Sequence, residues 1–222
     1  MFRMKPAILG ALAALAISAA ASASASAATH AFWDCQKIGG PWKNAQCSEK
    51  GPPNEWGTRE IAETKAEGTG TASTLASTIA GLKITVECKK NRFSATLEKE
   101  GKSKGEVTFE ECKMVGSEFA ACEVPNIKFN FKDKLVAGPE DEFEPTSGTT
   151  FVEIRIDSCA LKGTYPAKGT QICKLPNAGQ AKIVHELECT PAGSSLTLGK
   201  EKAEFTSTEK VHLVSEADWG AV

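Results

Sequence analysis

The sequence predicts an all-β protein, built as an antiparallel β-sandwich or barrel-like domain with a small disulfide-stapled N-terminal module. Three observations predict it. Apolar residues alternate with polar ones along most of the chain, clusters of Gly, Pro, Asn and Ser separate the alternating segments, and eight cysteines follow a start that is typical of exported proteins. A period of two indicates strands with one buried face. Short strands separated by turn clusters are typical of antiparallel sandwiches and barrels.

Residues 1–28 predict a signal peptide. Arg3 and Lys5 make the start basic, the stretch 6–20 is almost entirely apolar, and the run 21–28 consists of alanine and serine with several Ala-x-Ala sites. This order of regions is typical of secretory signal peptides. The apolar stretch is shorter than the ~20 residues that a membrane span needs. We therefore expect a secreted, extracellular protein with no membrane span in its mature part.

Alternating segments mark the strands in order along the chain. Apolar residues at every second position predict strands within 82–88, 93–97, 107–109, 127–131, 152–156, 187–189, 196–198, 203–205 and 211–213. Turn-rich segments lie between them, at 99–105, 136–150, 176–180 and 191–195.

The chain divides into four predicted parts. Residues 1–28 are the signal peptide and residues 29–60 are a Cys/Trp-rich module. Residues 61–73, rich in Gly, Thr and charge, are expected to form a linker, and residues 74–222 to form the β domain. The last part has enough chain to bury roughly 68–70% of its unfolded surface in one core.

Two segments of the β domain resemble each other weakly. Val86–Cys88 followed by Ser94–Leu97 has the same spacing as Leu187–Cys189 followed by Ser195–Leu198. A true repeat would place two related hairpins across the core. Chance similarity stays open, because short alternating strands resemble one another in any case.

Four further segments carry a resemblance to a known family. They are Cys35–Trp56, with its Cys-x11-Cys spacing and following Glu-Trp, Ile84–Cys88, Gly105–Cys112 and Cys159–Pro166. Taken together they resemble a family of uncharacterised secreted bacterial proteins. The resemblance covers most of the mature chain and rests on cysteine placement and strand pattern. It implies export and a β fold, and it implies no activity.

The cysteines predict four disulfides. All eight lie after the signal peptide, and an even number in an oxidising compartment indicates a disulfide framework. Their spacings contain no Cys-x2-Cys pair, so we expect no zinc site. Chain proximity favours three pairs and elimination then gives a fourth. The expected bonds are Cys35–Cys47, Cys112–Cys122, Cys159–Cys173 and Cys88–Cys189.

Three of the four tryptophans, Trp33, Trp42 and Trp56, lie in the N-terminal module. A segment this short cannot bury three indoles in a core of its own. Docking of the indoles against the β domain is the favoured interpretation, because apolar surface tends to be buried. The alternative is a partly exposed binding patch, since tryptophan often anchors recognition.

The sequence contains no catalytic signature. There is no Gly-x-Ser-x-Gly, no His-Glu-x-x-His and no phosphate-binding glycine loop, and we predict neither a metal nor a cofactor. His185 alternates with Ile183 and Leu187, which favours a half-buried histidine satisfied by a neighbour over a catalytic one. The acidic segment 140–144 favours a solvated loop tip, with a calcium site left open.

The net charge of the chain does not favour nucleic acid as a partner. Lys and Arg total 26 against 28 Asp and Glu, a net charge of −2, and loss of the two basic residues of the signal peptide makes it −4. Nucleic acid and anionic membranes favour clustered Lys and Arg instead. The predicted function is an extracellular binding or structural role, with an unknown ligand or cell-surface component as partner. Two alternatives are a secreted hydrolase built from scattered carboxylates and His185, and an extracellular inhibitor or effector.

Overall fold

The computed structural model describes residues 30–137 and 139–222, with the exception of the Ala137 side chain. The predicted signal peptide lies outside these residues. The described chain forms fifteen strands and two single-turn 3₁₀ segments, so the all-β prediction is confirmed. None of the helical segments in these parts of the chain has the length and apolar character that a membrane crossing requires.

The strands follow one another along the chain with few long connections. Their bounds are β1 Phe32–Gln36, β2 Gly57–Glu60, β3 Glu63–Ile79, β4 Leu82–Glu98, β5 Lys102–Met114, β6 Ile127–Ala137, β7 Glu140–Pro145, β8 Thr150–Ile156, β9 Gly163–Lys168, β10 Gln171–Lys174, β11 Val184–Cys189, β12 Thr197–Leu198, β13 Glu201–Lys202, β14 Glu204–Leu213 and β15 Trp219–Ala221. The 3₁₀ segments are Lys99–Gly101 and Ser117–Phe119.

Eight of these strands close into an antiparallel barrel, in the order β10-β11-β14-β3-β4-β5-β6-β7. Pairing of β7 with β10, from Gln171 opposite Phe143 to Lys174 opposite Glu140, completes the circle. The longest strands are β3 and β4, with 17 residues each, and they pair along their whole length. Closure leaves the barrel sheet without a free edge. Of the two predicted architectures, the barrel is the one that forms.

Residues 61–73 do not form the expected linker. Eleven of them begin β3, which pairs with β4 on one side and with β14 on the other. The β3 part, residues 63–73, contains no large apolar residue, and at Gly68 a neighbouring side chain fills the space. A Cβ atom on Gly68 would lie 2.1 Å from Cε1 of Phe93, so the phenyl ring of Phe93 occupies the place of a side chain.

A four-stranded sheet, β13-β12-β9-β8, packs against the barrel. Its buried residues Ile154, Ala167 and Leu198 share one core with Val86 and Phe109 of the barrel. This core has the two layers of a sandwich, with the barrel wall as one layer and the small sheet as the other.

A three-stranded sheet, β15-β1-β2, packs on a second core. Phe32 of β1 and Trp219 of β15 lie with ring centroids 6.1 Å apart, and both belong to the core that contains Leu97 and Leu213 of the barrel. The first strand of the N-terminal module therefore pairs with the last strand of the chain, from Phe32 opposite Ala221 to Asp34 opposite Trp219.

Four disulfides form, and one of the four expected pairs is confirmed. The bonds are Cys35–Cys47, Cys88–Cys112, Cys122–Cys159 and Cys173–Cys189. The pairs Cys112–Cys122, Cys159–Cys173 and Cys88–Cys189 are wrong. Chain proximity misleads here because a residue in a strand lies nearest to the strand beside it. Cys88 faces Cys112 across β4 and β5, and Cys173 faces Cys189 across β10 and β11.

The weak sequence repeat is not a structural repeat. The first copy lies inside one uninterrupted strand, β4. In the second copy β11 ends at Cys189, and the chain turns before β12 begins at Thr197. The two segments therefore have different conformations and different partners.

We expect the Cys122–Cys159 bond to contribute more stability than the Cys35–Cys47 bond. It joins the segment between β5 and β6 to the segment between β8 and β9, and it closes a loop of 37 residues against 12. Chain entropy assigns roughly 4 kcal/mol to the longer loop and roughly 3 kcal/mol to the shorter one. Urea unfolding of the two paired Cys→Ser variants measures both losses, and a larger loss for the Cys35/Cys47 pair would contradict the expectation.

Candidate functional site

The interior of the barrel contains an apolar cavity of about 130 Å³, between the barrel wall and the four-stranded sheet. Seven of the ten phenylalanines of the chain line it. They are Phe93, Phe109, Phe129, Phe131, Phe143, Phe151 and Phe205. An eight-stranded barrel has an interior just wide enough to be filled by side chains or to hold one small ligand. Here the side chains leave part of that space open.

The phenylalanines reach the cavity because side chains alternate between the two faces of a strand. Phe129 and Phe131 lie two residues apart on β6, so both point inward. Ring centroids are 5.2 Å apart for Phe131 and Phe143 and 5.7 Å apart for Phe109 and Phe205. These are ordinary distances for aromatic pairs. The rings thus pack against one another around the cavity.

The four-stranded sheet covers the cavity on one side. Phe151, Val152 and Ile154 of β8 and Ala167 of β9 contribute lining atoms. The Phe151 ring lies 5.6 Å from the Phe129 ring, centroid to centroid. Phe151 and Val152 are half-buried, whereas Ile154 and Ala167 are buried.

One ionisable side chain, Glu209 of β14, is found among the described residues that line the cavity. It is only 5% exposed, and its Oε1 accepts a hydrogen bond of 2.8 Å from Nδ2 of Asn91. The same amide donates to Oγ of Ser73, at 2.6 Å. Burial raises the pKa of Glu209 to about 7, although the polar groups of Ser207 and Asn91 offset part of the effect.

Gln171 of β10 is the second polar group of interest at the cavity, and it is 6% exposed. Its Nε2 donates to the carbonyl oxygens of Ile172, at 2.8 Å, and Thr190, at 2.7 Å. Because carbonyls only accept, these two bonds fix which end of the amide is the nitrogen. The Oε1 atom is left as an acceptor without a hydrogen-bond partner in the described chain.

A second buried acidic group, Asp133 with Asp141, lies in the barrel but does not line the cavity. Oγ of Ser103 donates a hydrogen bond of 2.6 Å to Oδ2 of Asp133. Burial raises the pKa of Asp133 to about 7. Burial and the adjacent Asp133 carboxyl raise the pKa of Asp141 well above its usual value. Two carboxyls so close cannot both ionise readily, so the pair holds a proton.

His185 lies on β11 in the second core and is 2% exposed. Its Nε2 donates to the carbonyl oxygen of Trp219 at 2.7 Å, and its ring packs on the indole of that residue with centroids 4.5 Å apart. Burial lowers the pKa of His185. Within the described ranges no carboxylate forms a hydrogen bond with it. Nε2 of His185 is therefore satisfied by a backbone carbonyl in the described chain.

The acidic segment 140–144 is not a loop tip. It forms most of β7, with Asp141 on the inner face of the barrel. The glutamates on the outer face form ion pairs with lysines of β6 and β10: Glu140 with Lys174, Glu142 with Lys134, and Glu144 with Lys132 and Lys134. The acidic run therefore belongs to a strand whose lysine neighbours compensate its charge. In the described chain no three acidic, histidine or cysteine residues are placed to hold a metal ion.

The three tryptophans of the N-terminal module come together. Trp33 is buried and packs with Cys47 and Ala181, and Trp42 and Trp56 lie half-buried against this cluster. Trp42 and Trp56 also form a short antiparallel bridge to each other, with backbone hydrogen bonds of 3.1 and 3.2 Å. Trp33 lies close against Gly220 of β15, whose missing Cβ would be 2.6 Å from Cζ2 of the indole. Burial of Trp33 agrees with docking.

Comparison with family models, with curated proteins and with solved structures found no match for this chain. The functional proposal below therefore rests on the cavity and the residues that line it.

We expect replacement of Trp33 by Ala to destabilise the protein more than replacement of Trp42 by Ala. Removing a buried indole typically costs about 3–5 kcal/mol, whereas a half-buried indole leaves a smaller cavity. Chemical unfolding of the two variants measures the difference. Equal, small losses for both would favour an exposed tryptophan patch instead.

We expect stability to fall as the pH rises from about 4 to about 7, because the buried acids are neutral in the folded protein and ionise readily when unfolded. In this window the folded state binds more protons than the unfolded state. Asp141→Asn removes one such acid, so it should raise the free energy of unfolding at pH 8 and leave it nearly unchanged at pH 4. Glu142→Gln, on the outer face of the same strand, is the matched control and should have little effect at either pH. A loss of stability of Asp141→Asn at pH 8 would contradict this account.

Proposed function

We propose that the protein is exported and binds a small apolar molecule inside its barrel. The observation that carries the proposal is the phenylalanine-lined cavity of about 130 Å³. An engineered apolar cavity of about 150 Å³ in another protein stays dry and binds benzene. A ligand with a single ring or a short alkyl chain therefore matches the available space.

Export is supported by the predicted signal peptide, by the four disulfides and by the resemblance to secreted bacterial proteins. Disulfides form and persist in oxidising environments such as the outside of the cell. The described cysteines are all paired. A protein held in this way is suited to work beyond the cytoplasm.

Rigidity of the cavity wall favours binding. Two disulfides, Cys88–Cys112 and Cys173–Cys189, tie neighbouring strands of the barrel together, and three of these four cysteines line the cavity. A pocket that exists before the ligand arrives loses little entropy when the ligand binds. The barrel thus provides a preformed site.

Binding fits the lining residues better than hydrolysis does. A two-carboxylate glycosidase needs two acids facing one substrate. Of the described lining residues only Glu209 is ionisable, and the Asp133–Asp141 pair lies elsewhere in the barrel. We therefore propose a binding protein rather than an enzyme.

Ethylbenzene, a single ring without a polar group, should bind and stabilise the oxidised protein. At ten times the dissociation constant, binding adds about 1.4 kcal/mol of stability. For a chain of this size that raises the melting temperature by roughly 3–6 °C. Differential scanning calorimetry at increasing ethylbenzene concentration measures the shift.

Val152→Trp tests whether the cavity is the site, because Val152 lines it from β8. The larger side chain fills the space and should weaken binding at least tenfold. Val214→Trp is the matched control, since Val214 is 49% exposed and is not a lining residue. Absence of any stabilisation of the wild-type protein, or equal stabilisation of the Val152→Trp variant, would overturn the proposal.

A further inference from the structure

Two residues that line the cavity, Gln171 and Glu209, each have one acceptor oxygen without a partner in the described chain. Oε1 of Gln171 has no donor, and Oε2 of Glu209 has none either, in the part of the chain that the structure describes. The Ser207 hydroxyl lies close enough to Glu209 to lower its pKa, and its Oγ also has no other partner among the described residues. Buried polar groups in folded proteins nearly always have partners. A ligand with a donor group supplies a partner for the free oxygen of Glu209.

No basic side chain pairs with Glu209 in the described chain either. Its neighbours on the strands packed against β14 are Leu187 of β11 and Gly70 of β3, and its hydrogen-bond donor is the neutral Asn91 of β4. The other buried ionisable groups of the barrel strands are His185, Asp133 and Asp141, and these do not line the cavity. A buried carboxylate without a counter-ion is costly, which is why burial raises the pKa of Glu209 to about 7.

A protonated primary amine would supply hydrogen-bond donors, and also a positive charge, which the described lining residues of the cavity do not offer. An ammonium group has three N–H donors and no acceptor, so it can donate to the free oxygen of Glu209 without leaving an acceptor of its own unpaired. Its hydrogen bond to a carboxylate is charge-assisted and stronger than a neutral one. The faces of the surrounding phenyl rings attract cations as well. An alcohol offers one donor and no charge.

We propose that the ligand is a small primary amine with an apolar body, whose ammonium group binds Glu209 while its ring or alkyl chain lies among the phenylalanines. This inference rests on the proposed function and adds the chemical class of the ligand. Removing an ammonium from water opposes such binding. The fold has already desolvated its carboxylate partner, however, so that part of the cost is not incurred again on binding.

Proton linkage gives the amine a pH signature. The ammonium pairs with ionised Glu209, so below about pH 7 binding must release the proton of the carboxyl group. Affinity for an amine should therefore fall about tenfold for each pH unit below 7. Affinity for an uncharged ligand involves no such release and should not show this dependence.

Three ligands of similar shape distinguish an apolar, an alcohol and an amine ligand: ethylbenzene, benzyl alcohol and benzylamine. We would measure their dissociation constants by titration calorimetry at pH 8 and pH 5.5, for the wild-type protein, Glu209→Gln and Glu204→Gln. Glu204 lies on the same strand but is exposed and pairs with Lys202, so its variant is the matched control. Gln keeps the shape of Glu209 and an acceptor for Asn91 but removes the charge.

The expected result at pH 8 is that benzylamine binds the wild-type protein and Glu204→Gln at least tenfold more tightly than ethylbenzene. Glu209→Gln should abolish this preference and leave ethylbenzene binding within about threefold. At pH 5.5 benzylamine should bind the wild-type protein roughly 30-fold more weakly than at pH 8. Ethylbenzene binding without an advantage for benzylamine, or a benzyl alcohol affinity above that of benzylamine, would overturn the amine and leave the proposed function standing. Failure of all three ligands would overturn the proposed function itself.

Discussion

Pairing of β7 with β10 is the constraint on which the rest of the structure depends. These are short strands, of six and four residues, and their contact converts a curved sheet into a closed barrel. The Cys173–Cys189 bond holds β10 to its other neighbour, β11. Closure brings Phe143 and Gln171 opposite each other on the inner wall, where both line the cavity. Without this contact the cavity would have no wall on that side.

Strand alternation predicts much of the fold, and the places where it fails have physical causes. Segments 82–88 and 93–97 are expected as two strands but form the single strand β4. The inward face there changes from even-numbered residues ending at Cys88 to odd-numbered residues beginning at Asn91, so the apolar period is interrupted. The neighbouring strands have positive-φ residues at the same level, Ala72 and Glu111, as irregular strand pairs often do. A sequence pattern alone cannot distinguish such an irregularity from a turn.

Glu209 and Gln171 are not among the site residues predicted from the sequence, although strand parity marks their positions. Glu209 is in phase with Phe205 and Val211, and Gln171 is in phase with Cys173, so alternation places both on inner faces. If every charged or polar residue is assumed to face solvent, this inward position of Glu209 and Gln171 goes unnoticed. Their hydrogen bonds depend on distant partners: Asn91 is 118 residues from Glu209 along the chain. Partners at such separation follow from the closed barrel and not from local sequence.

Two costs to stability lie at the same place in the molecule. A cavity of about 130 Å³ lowers stability by about 3 kcal/mol at the ~24 cal/mol per Å³ found for core cavities. Glu209 and Gln171 add buried acceptors without donors, whose cost comes from lost hydration. Glu209 is paired at one oxygen through Asn91, as Asp133 is through Ser103, and the second oxygen of each has no partner in the described chain. Violations of packing and of hydrogen bonding tend to be kept where function requires them. One ligand with an apolar body and a donor group would remove both costs at once, so their coincidence in the barrel interior supports the proposed binding site more strongly than either feature does alone.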